Sequence, residues 1–251
     1  MIQFISKKGI SFNFDNKYLA IIITALLGMI SPLPTYAAVP IALAFLPLGV
    51  PIGAIISFVI ASPLINPGVF FLTLTQLGIE IAIARVVATF VIAVGGGLLA
   101  GYLFKYIKMP EVSSIKDKPK RPFLQEFWKN FQWLGKYFAI ALFISACVKA
   151  MVSPELVNEI LGKHVQGSLL VAISLGVPFY SCGGAAIPFV EVLTELGMNK
   201  GAVLAFFIAG PATKIETLYI FKSMMGIKVF IYYLVLTLIG AYLAGMLLLL
   251  Y

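Results

Sequence analysis

From Tyr18 to Ile79 the chain carries no Lys, Arg, Asp, Glu or His. A stretch of that length without a charge is far longer than a soluble core element, whereas a hydrocarbon core takes about 20 apolar residues per helical crossing. Three more uncharged runs follow, Val86 to Phe104, Val165 to Val190 and Val229 to Tyr251. With 61% hydrophobic and 11% charged residues, too little polar surface is left to clothe a soluble globule. The chain is therefore expected to be an all-α polytopic membrane protein, with the lipid bilayer as its first partner.

The net charge of +8 would suggest nucleic acid in a soluble protein, but here the cations crowd into short connections beside apolar spans. They read as topology signals, and no nucleic-acid partner is expected. Lys7, Lys8 and Lys17 at the N-terminus, and Lys105, Lys108, Lys116, Lys118, Lys120 and Arg121 in a linker, all belong on the cytoplasmic side. This predicts a multi-pass protein of the cytoplasmic (inner) membrane with its N-terminus inside. The start of the chain imitates a signal peptide, with "PTYAA" as a small-residue cleavage site. A repeat that uses residues on both sides of that point argues against cleavage.

Laid over itself at an offset of 148, the chain matches residues 28–63 to residues 176–211 without a gap, with twelve of 36 positions identical. Prolines and glycines stay in register: Gly28 with Gly176, Pro40 with Pro188, Gly49 with Gly197, Gly53 with Gly201 and Pro63 with Pro211. Punctuation shared at a fixed period marks a duplicated structural unit. The expected organisation is repeat 1 over 1–107 (core 28–107), a basic cytoplasmic linker over 108–122, a connecting transmembrane helix and surface helix over 123–164, and repeat 2 over 165–251. The surface helix, "SPELVNEILGKH", opens with Ser153 as N-cap and Pro154 in first position, and should set Leu156, Ile160 and Leu161 on one side.

Each repeat has two breaks, "SPLPTY" and "SPLINP" in the first, "FYSCGG" and "GPATK" in the second. The pieces between them run about 10 to 14 residues, half a bilayer of helix. They predict broken half-helices or re-entrant hairpins beside the long transmembrane helices. Lys200, Lys222 and Lys228 place cations at turns of the second repeat whose counterparts in the first have none, which favours inverted repeats; a parallel arrangement is the alternative.

Backbone groups freed in lipid cost several kcal/mol each unless protein or trapped water satisfies them, so broken helices mark a lined cavity. Interrupted segments at matching positions of two halves are the usual pointer to a transporter site. In the second repeat Tyr180, Ser181 and Cys182 offer hydroxyl and thiol groups, and Gly183 and Gly184 allow close backbone approach at a half-helix N-terminus, suited to an anion or polar ligand. A bland reading stays open, in which the glycines permit packing and Cys182 is a small hydrophobe. Pro211, Thr213 and Lys214 form the second break, and Pro34, Thr35 and Asn66 occupy the breaks of the first repeat. A lysine at membrane depth should be paired or wet, with Glu216 and Glu191 as partners in kind, or it snorkels to an interface. Glu191 is the candidate for proton or substrate coupling, and Arg85 and Lys149 are cations that could neutralise it or sit near helix ends.

One histidine, no cysteine pair at ligand spacing, no phosphate-binding loop and no aspartate inside a span argue against a metalloprotease, an aspartyl protease or an ATPase. No metal, no cofactor and no enzymatic activity are expected. The expectation is a secondary permease with a midplane site between the broken-helix repeats, working by alternating access on a small molecule, with homo-oligomerisation left open. The alternatives are an intramembrane thiol or redox enzyme using Cys182, and an accessory membrane subunit.

Residues 176–214, "GVPFYSCGGAAIPFVEVLTELGMNKGAVLAFFIAGPATK", resemble the signature of the predicted permease family that includes the ArsP-type organoarsenical efflux permeases and the YraQ-like permeases. The resemblance implies a cytoplasmic-membrane permease, in some members exporting trivalent organoarsenicals, for which a thiol is chemically apt. Carried over, it makes Cys182 the soft contact, Tyr180, Ser181, Gly183 and Gly184 the pocket, and Pro211, Thr213 and Lys214 the facing wall. In the first repeat, where the family pattern suggests a cysteine-bearing break, this chain has Pro32, Leu33, Pro34, Thr35 and Tyr36.

Overall fold

The computed structural model describes residues 16–33, 35–104, 128, 132, 139, 143–163, 165–179 and 186–250. Every regular element among them is a helix, and the protein is all-α. In chain order these are α1 (Lys17–Ile30), α2 (Thr35–Ala44), α3 (Ile52–Leu64), α4 (Pro67–Leu77) and α5 (Ile79–Leu103). Then come α6 (residues 143–151), α7 (Pro154–Val157, continued by a π-helical turn Asn158–Lys163), α8 (Val165–Phe179) and α9 (Ala186–Glu195). The chain ends with α10 (Lys200–Thr213), α11 (Ile215–Ile220, continued by a π-helical turn Phe221–Met225) and α12 (Gly226–Leu250).

The starts and stops follow from single residues. Asn16 caps α1, its side chain accepting from the Tyr18 and Leu19 amides, and Asn199 caps α10 by accepting from the Ala202 amide. Among the described residues, Gly49 and Gly197 (φ 91° and 108°) and Gly78 and Gly226 (φ 86° and 83°) are the glycines of positive φ, and both pairs lie 148 residues apart. Each turns the chain where a residue with a Cβ would be strained. Pro63 and Pro211, also 148 apart, sit in the last turns of α3 and α10, just before the chain breaks.

α5 and the stretch from α11 through α12 (Thr217–Leu250) are long and apolar enough to cross a membrane. At 1.5 Å per residue, 25 residues of helix reach about 37 Å, more than a hydrocarbon core of about 30 Å. α3 and α4 together form a further broken span or re-entrant loop, bent by 41° at Ile65 and Asn66.

The chain packs as two compact units. The first comprises residues 1–70, 85–112 and 215–240, and the second residues 71–84, 113–214 and 241–251. Neither is a contiguous repeat: the first takes in α11 and the start of α12, while the second takes in the end of α4 and the start of α5.

Within the first unit α1 packs along α3, and within the second α8 packs along α10. A methyl built on Gly28 would lie 2.7 Å from the Phe58 carbonyl oxygen; one on Gly176 would lie 3.2 Å from the Phe206 carbonyl oxygen. Gly53 meets Gly97 in the first unit and Gly201 meets Gly245 in the second, each closely enough that a Cβ on either partner would strike the other's carbonyl. A Cβ on Gly97 would also strike Ile21 and Ser57, and one on Gly245 would strike Leu169 and Ala205. All of these positions pair at the offset of 148. Small residues that let backbones touch replace hydrophobic driving force in a bilayer, where lipid is as apolar as leucine.

The second unit has a dense core that includes Phe189, Val190, Leu193, Phe206 and Phe207, and Val157 and Leu161 of the α7 segment reach into it. This corrects the expected face of that segment. Leu156 and Ile160 are exposed while Val157 and Leu161 are buried. The physical cause is the Asn199 amide nitrogen, which donates to the Leu161 and Gly162 carbonyls and turns that side inward.

Candidate functional site

The breaks of the first unit are tied to one another by hydrogen bonds. After α1 the Ser31 hydroxyl accepts from the Leu33 amide at 3.3 Å, and the Ser62 hydroxyl on α3 donates to the Leu33 carbonyl at 3.2 Å. At the second break Asn66 accepts from the Val69 amide at 2.9 Å and so begins α4. Arg85, fully buried, donates through Nη2 to the Leu64 carbonyl at 3.0 Å. That carbonyl is one of those orphaned where α3 ends, and a buried cation is a strong donor for it. Of the predicted residues here, Asn66 caps a helix and Arg85 serves a helix end. Pro34 lies outside the described residues, and Thr35 is the first residue of α2 with its side chain outside them.

In the second unit the described residues of α8 run to Phe179 and those of α9 begin at Ala186. Tyr180, Ser181, Cys182, Gly183 and Gly184 lie outside the described residues. At the next break Pro211 and Thr213 are buried in α10, and the Thr213 hydroxyl donates back to the Ala209 carbonyl at 2.9 Å. A threonine bonding the preceding turn, beside a proline that removes an amide donor, is a local recipe for ending a helix. Lys214 follows as the C-cap, half-buried, its cation at the negative end of the α10 dipole. Glu216 belongs to α11, with its side chain outside the described residues.

A group of charged and amide side chains gathers in the second unit. With its nitrogen turned toward Glu191, the assignment its surroundings favour, the Gln76 amide donates to both Glu191 carboxylate oxygens at 3.0 Å. The Lys149 ammonium of α6 pairs with Glu195 at 2.6 Å, and Lys200 pairs with Glu80 at the start of α5. Lys149 therefore bonds Glu195, while its charge also acts on Glu191. Glu191 is half-buried, and its close partner is a neutral amide. Among the described residues no three of His, Cys, Asp and Glu converge to hold a metal.

The first unit carries none of this. Leu43, Pro47, Ile52 and Met224 stand 148 residues from Glu191, Glu195, Lys200 and Gln76. Sequence reading missed Gln76 and the Glu80–Lys200 pair, whose partners are 115 and 120 positions apart (191 − 76 and 200 − 80). The one signal that could have raised Gln76 is that an amide replaces an apolar residue at a repeat-matched position.

Comparison with known proteins finds a family model described as a predicted permease, ArsP_1, matching residues 1–250. The chain is similar to UPF0718 protein YcgR of Bacillus subtilis, 26% identical over 93% of this chain and 82% of that protein. It is also similar to UPF0718 protein MJ0584 of Methanocaldococcus jannaschii, 21% identical over 91% of this chain and 81% of the relative. A Streptococcus mutans protein named as a proposed subunit of a two-component membrane permease complex is 24% identical over 83% of this chain and 72% of its own length. No solved structure matches.

Proposed function

Since the chain belongs to the ArsP_1 family of predicted permeases and is a multi-pass membrane protein, we propose that it is a secondary transporter whose substrate meets the helix breaks and whose coupling group is Glu191. The observation that carries this reading is the half-buried Glu191 carboxylate held by Gln76 next to the Lys149–Glu195 pair. An ionisable group on a short apolar helix is costly to keep in a membrane protein and points to a proton or solute pathway. The repeated breaks, at Ile65–Asn66 and at Lys214, supply irregular backbone of the kind that lines solute sites in transporters.

The substrate class follows from the break at 180–185, where a thiol, two hydroxyls and two glycines precede a half-helix. These groups suit a small thiophilic or anionic solute, organoarsenicals included, exported across the cytoplasmic membrane with the N-terminus inside. Uptake and efflux in everted membrane vesicles, against organoarsenicals, oxyanions and small sulfur compounds, test the reading. Movement of one class that is lost in Cys182→Ser and Glu191→Gln is expected; correctly inserted protein that moves none of them ends the permease reading. A second reading, a subunit of a two-component permease, takes its support from the name of the Streptococcus relative. It predicts flux only when a second membrane protein is supplied.

A further inference from the structure

One hairpin is built twice in this chain, and the two copies are packed differently. In the first unit α1, α2 and α3 enclose an open cavity of about 190 Å³, lined by Thr24, Leu27, Ile41, Phe45, Val50 and Phe58, among others. The positions 148 residues later, Ala172, Leu175, Phe189, Leu193, Met198 and Phe206, belong to the dense core of the second unit. Aliphatic side chains from outside that hairpin complete this core: Val157 and Leu161 of the α7 segment, with Ile144, Val148 and Val152 packed against it. The bordering helices show the same contrast. Val171 and Leu175 of α8 pack on the second core, whereas Ile23 and Leu27, at the matching places on α1, are 41% and 55% exposed.

What the cavity can hold follows from its lining, because no polar atom opens onto it. The Thr24 hydroxyl donates to the Ala20 and Ile21 carbonyls of its own helix at 2.8 and 3.1 Å, and the other lining side chains are hydrocarbon. A trapped water needs about two to four polar partners, while apolar cavities of about 150 Å³ stay dry and admit a guest the size of benzene. A lipid headgroup finds no charge here, since none occurs from Tyr18 to Ile79. The cavity also runs out onto an aliphatic face. Leu27 both lines it and is exposed, and Leu26 and Ile30 beside it on α1 are exposed as well. In a membrane protein an exposed apolar face of this kind meets acyl chains.

We propose that the cavity is a lipid site, filled by a segment of one phospholipid acyl chain that takes the part Val152, Val157 and Leu161 play in the second unit. Wall atoms facing a gap forfeit dispersion contacts, and a run of methylenes restores them without needing a hydrogen bond. Phe45, Val50 and Phe58 are the side chains that would gain those contacts. The hairpin of the first unit is then completed by the bilayer and that of the second by the chain itself.

The test uses the full chain with Trp128→Phe and Trp133→Phe, reconstituted in phosphatidylcholine vesicles whose acyl chains carry bromine at mid-length, a short-range quencher of indole. Phe58→Trp should be quenched as fully as Ile23→Trp on the outer face of α1, while Phe206→Trp should keep its emission. Adding Ala42→Phe, which narrows the cavity, should restore the emission of Phe58→Trp and leave Ile23→Trp quenched. An unquenched Phe58→Trp overturns the proposal, as does quenching that Ala42→Phe leaves unchanged. Emission lost only after residues 2–13 are deleted, or only on dilution into excess lipid, assigns the cavity to the chain's own start or to a second copy, and overturns the proposal as well. The unaltered protein gives an independent reading. Phosphatidylcholine with a mid-chain diazirine, photolysed in the same vesicles, should label residues 41–58 and spare residues 189–206; labelling of both or of neither contradicts the proposal.

Discussion

Gly97 and Gly245 do the same job 148 residues apart, each lying against a glycine of a neighbouring half-helix, Gly53 or Gly201. Leu43 and Glu191 are also 148 apart, and one is an apolar core residue while the other is a carboxylate held by an amide. Packing has been kept in duplicate at these glycines, whereas the Glu191 carboxylate and its amide partner stand in one copy only. Positions that let two backbones touch leave no room for substitution, so both copies stay glycine. Positions facing other side chains can change one at a time.

That comparison is broken most severely at the shared glycines. Gly201→Leu and Gly53→Leu should each drive a side chain into a facing backbone, at a cost of roughly 1–3 kcal/mol or more. Both should lower the yield of folded protein and its thermal midpoint in detergent by similar amounts. A large loss in one and none in the other would mean that the two contacts are not equivalent.

The next test uses a pair whose chemistry has diverged. Arg85 and Tyr233 are 148 apart and both fully buried. Arg85 serves the Leu64 carbonyl, whereas the Tyr233 hydroxyl has no hydrogen-bond partner among the described residues and its ring stacks on Phe221 at 3.9 Å. Arg85→Met should cost about 1–3 kcal/mol through the carbonyl left unsatisfied, and Tyr233→Phe should be neutral or slightly stabilising. Thermal unfolding in detergent separates the two; equal losses would show that Tyr233 has a polar role. The smallest effect belongs to Lys149→Ala, because its pair with Glu195 is exposed on both sides. Its thermal midpoint should match that of the unaltered protein.

The punctuation of this fold was legible in the sequence because proline, glycine and asparagine act on their own backbone. Gly49, Gly197, Pro63, Pro211 and Asn66 turn, end or cap helices whatever surrounds them. The packing units were not legible, since the sequence repeats are contiguous and the units are not. Which helix end settles on which neighbour depends on contacts such as Gly28 with Phe58, made by residues far apart in the chain. The same limit explains the α7 segment, where spacing put Leu156, Ile160 and Leu161 on one side and the Asn199 bond to Leu161 buries Leu161 with Val157 instead. At the candidate site, sequence singled out Glu191 as the coupling candidate, but its partner Gln76 lies 115 positions away in the other repeat.

The most direct measurement compares Glu191→Gln with Leu43→Gln in proteoliposomes, reading flux of the solute class that moves in the vesicle panel. Both proteins should reconstitute. Glu191→Gln should lose at least about tenfold in flux, about 1.4 kcal/mol in the barrier, and should lose its response to an imposed pH gradient. Leu43→Gln should keep most of its flux and its pH response. Equal losses in the two, or full flux in Glu191→Gln, would contradict the claim that one copy of the duplicated fold carries the transport chemistry.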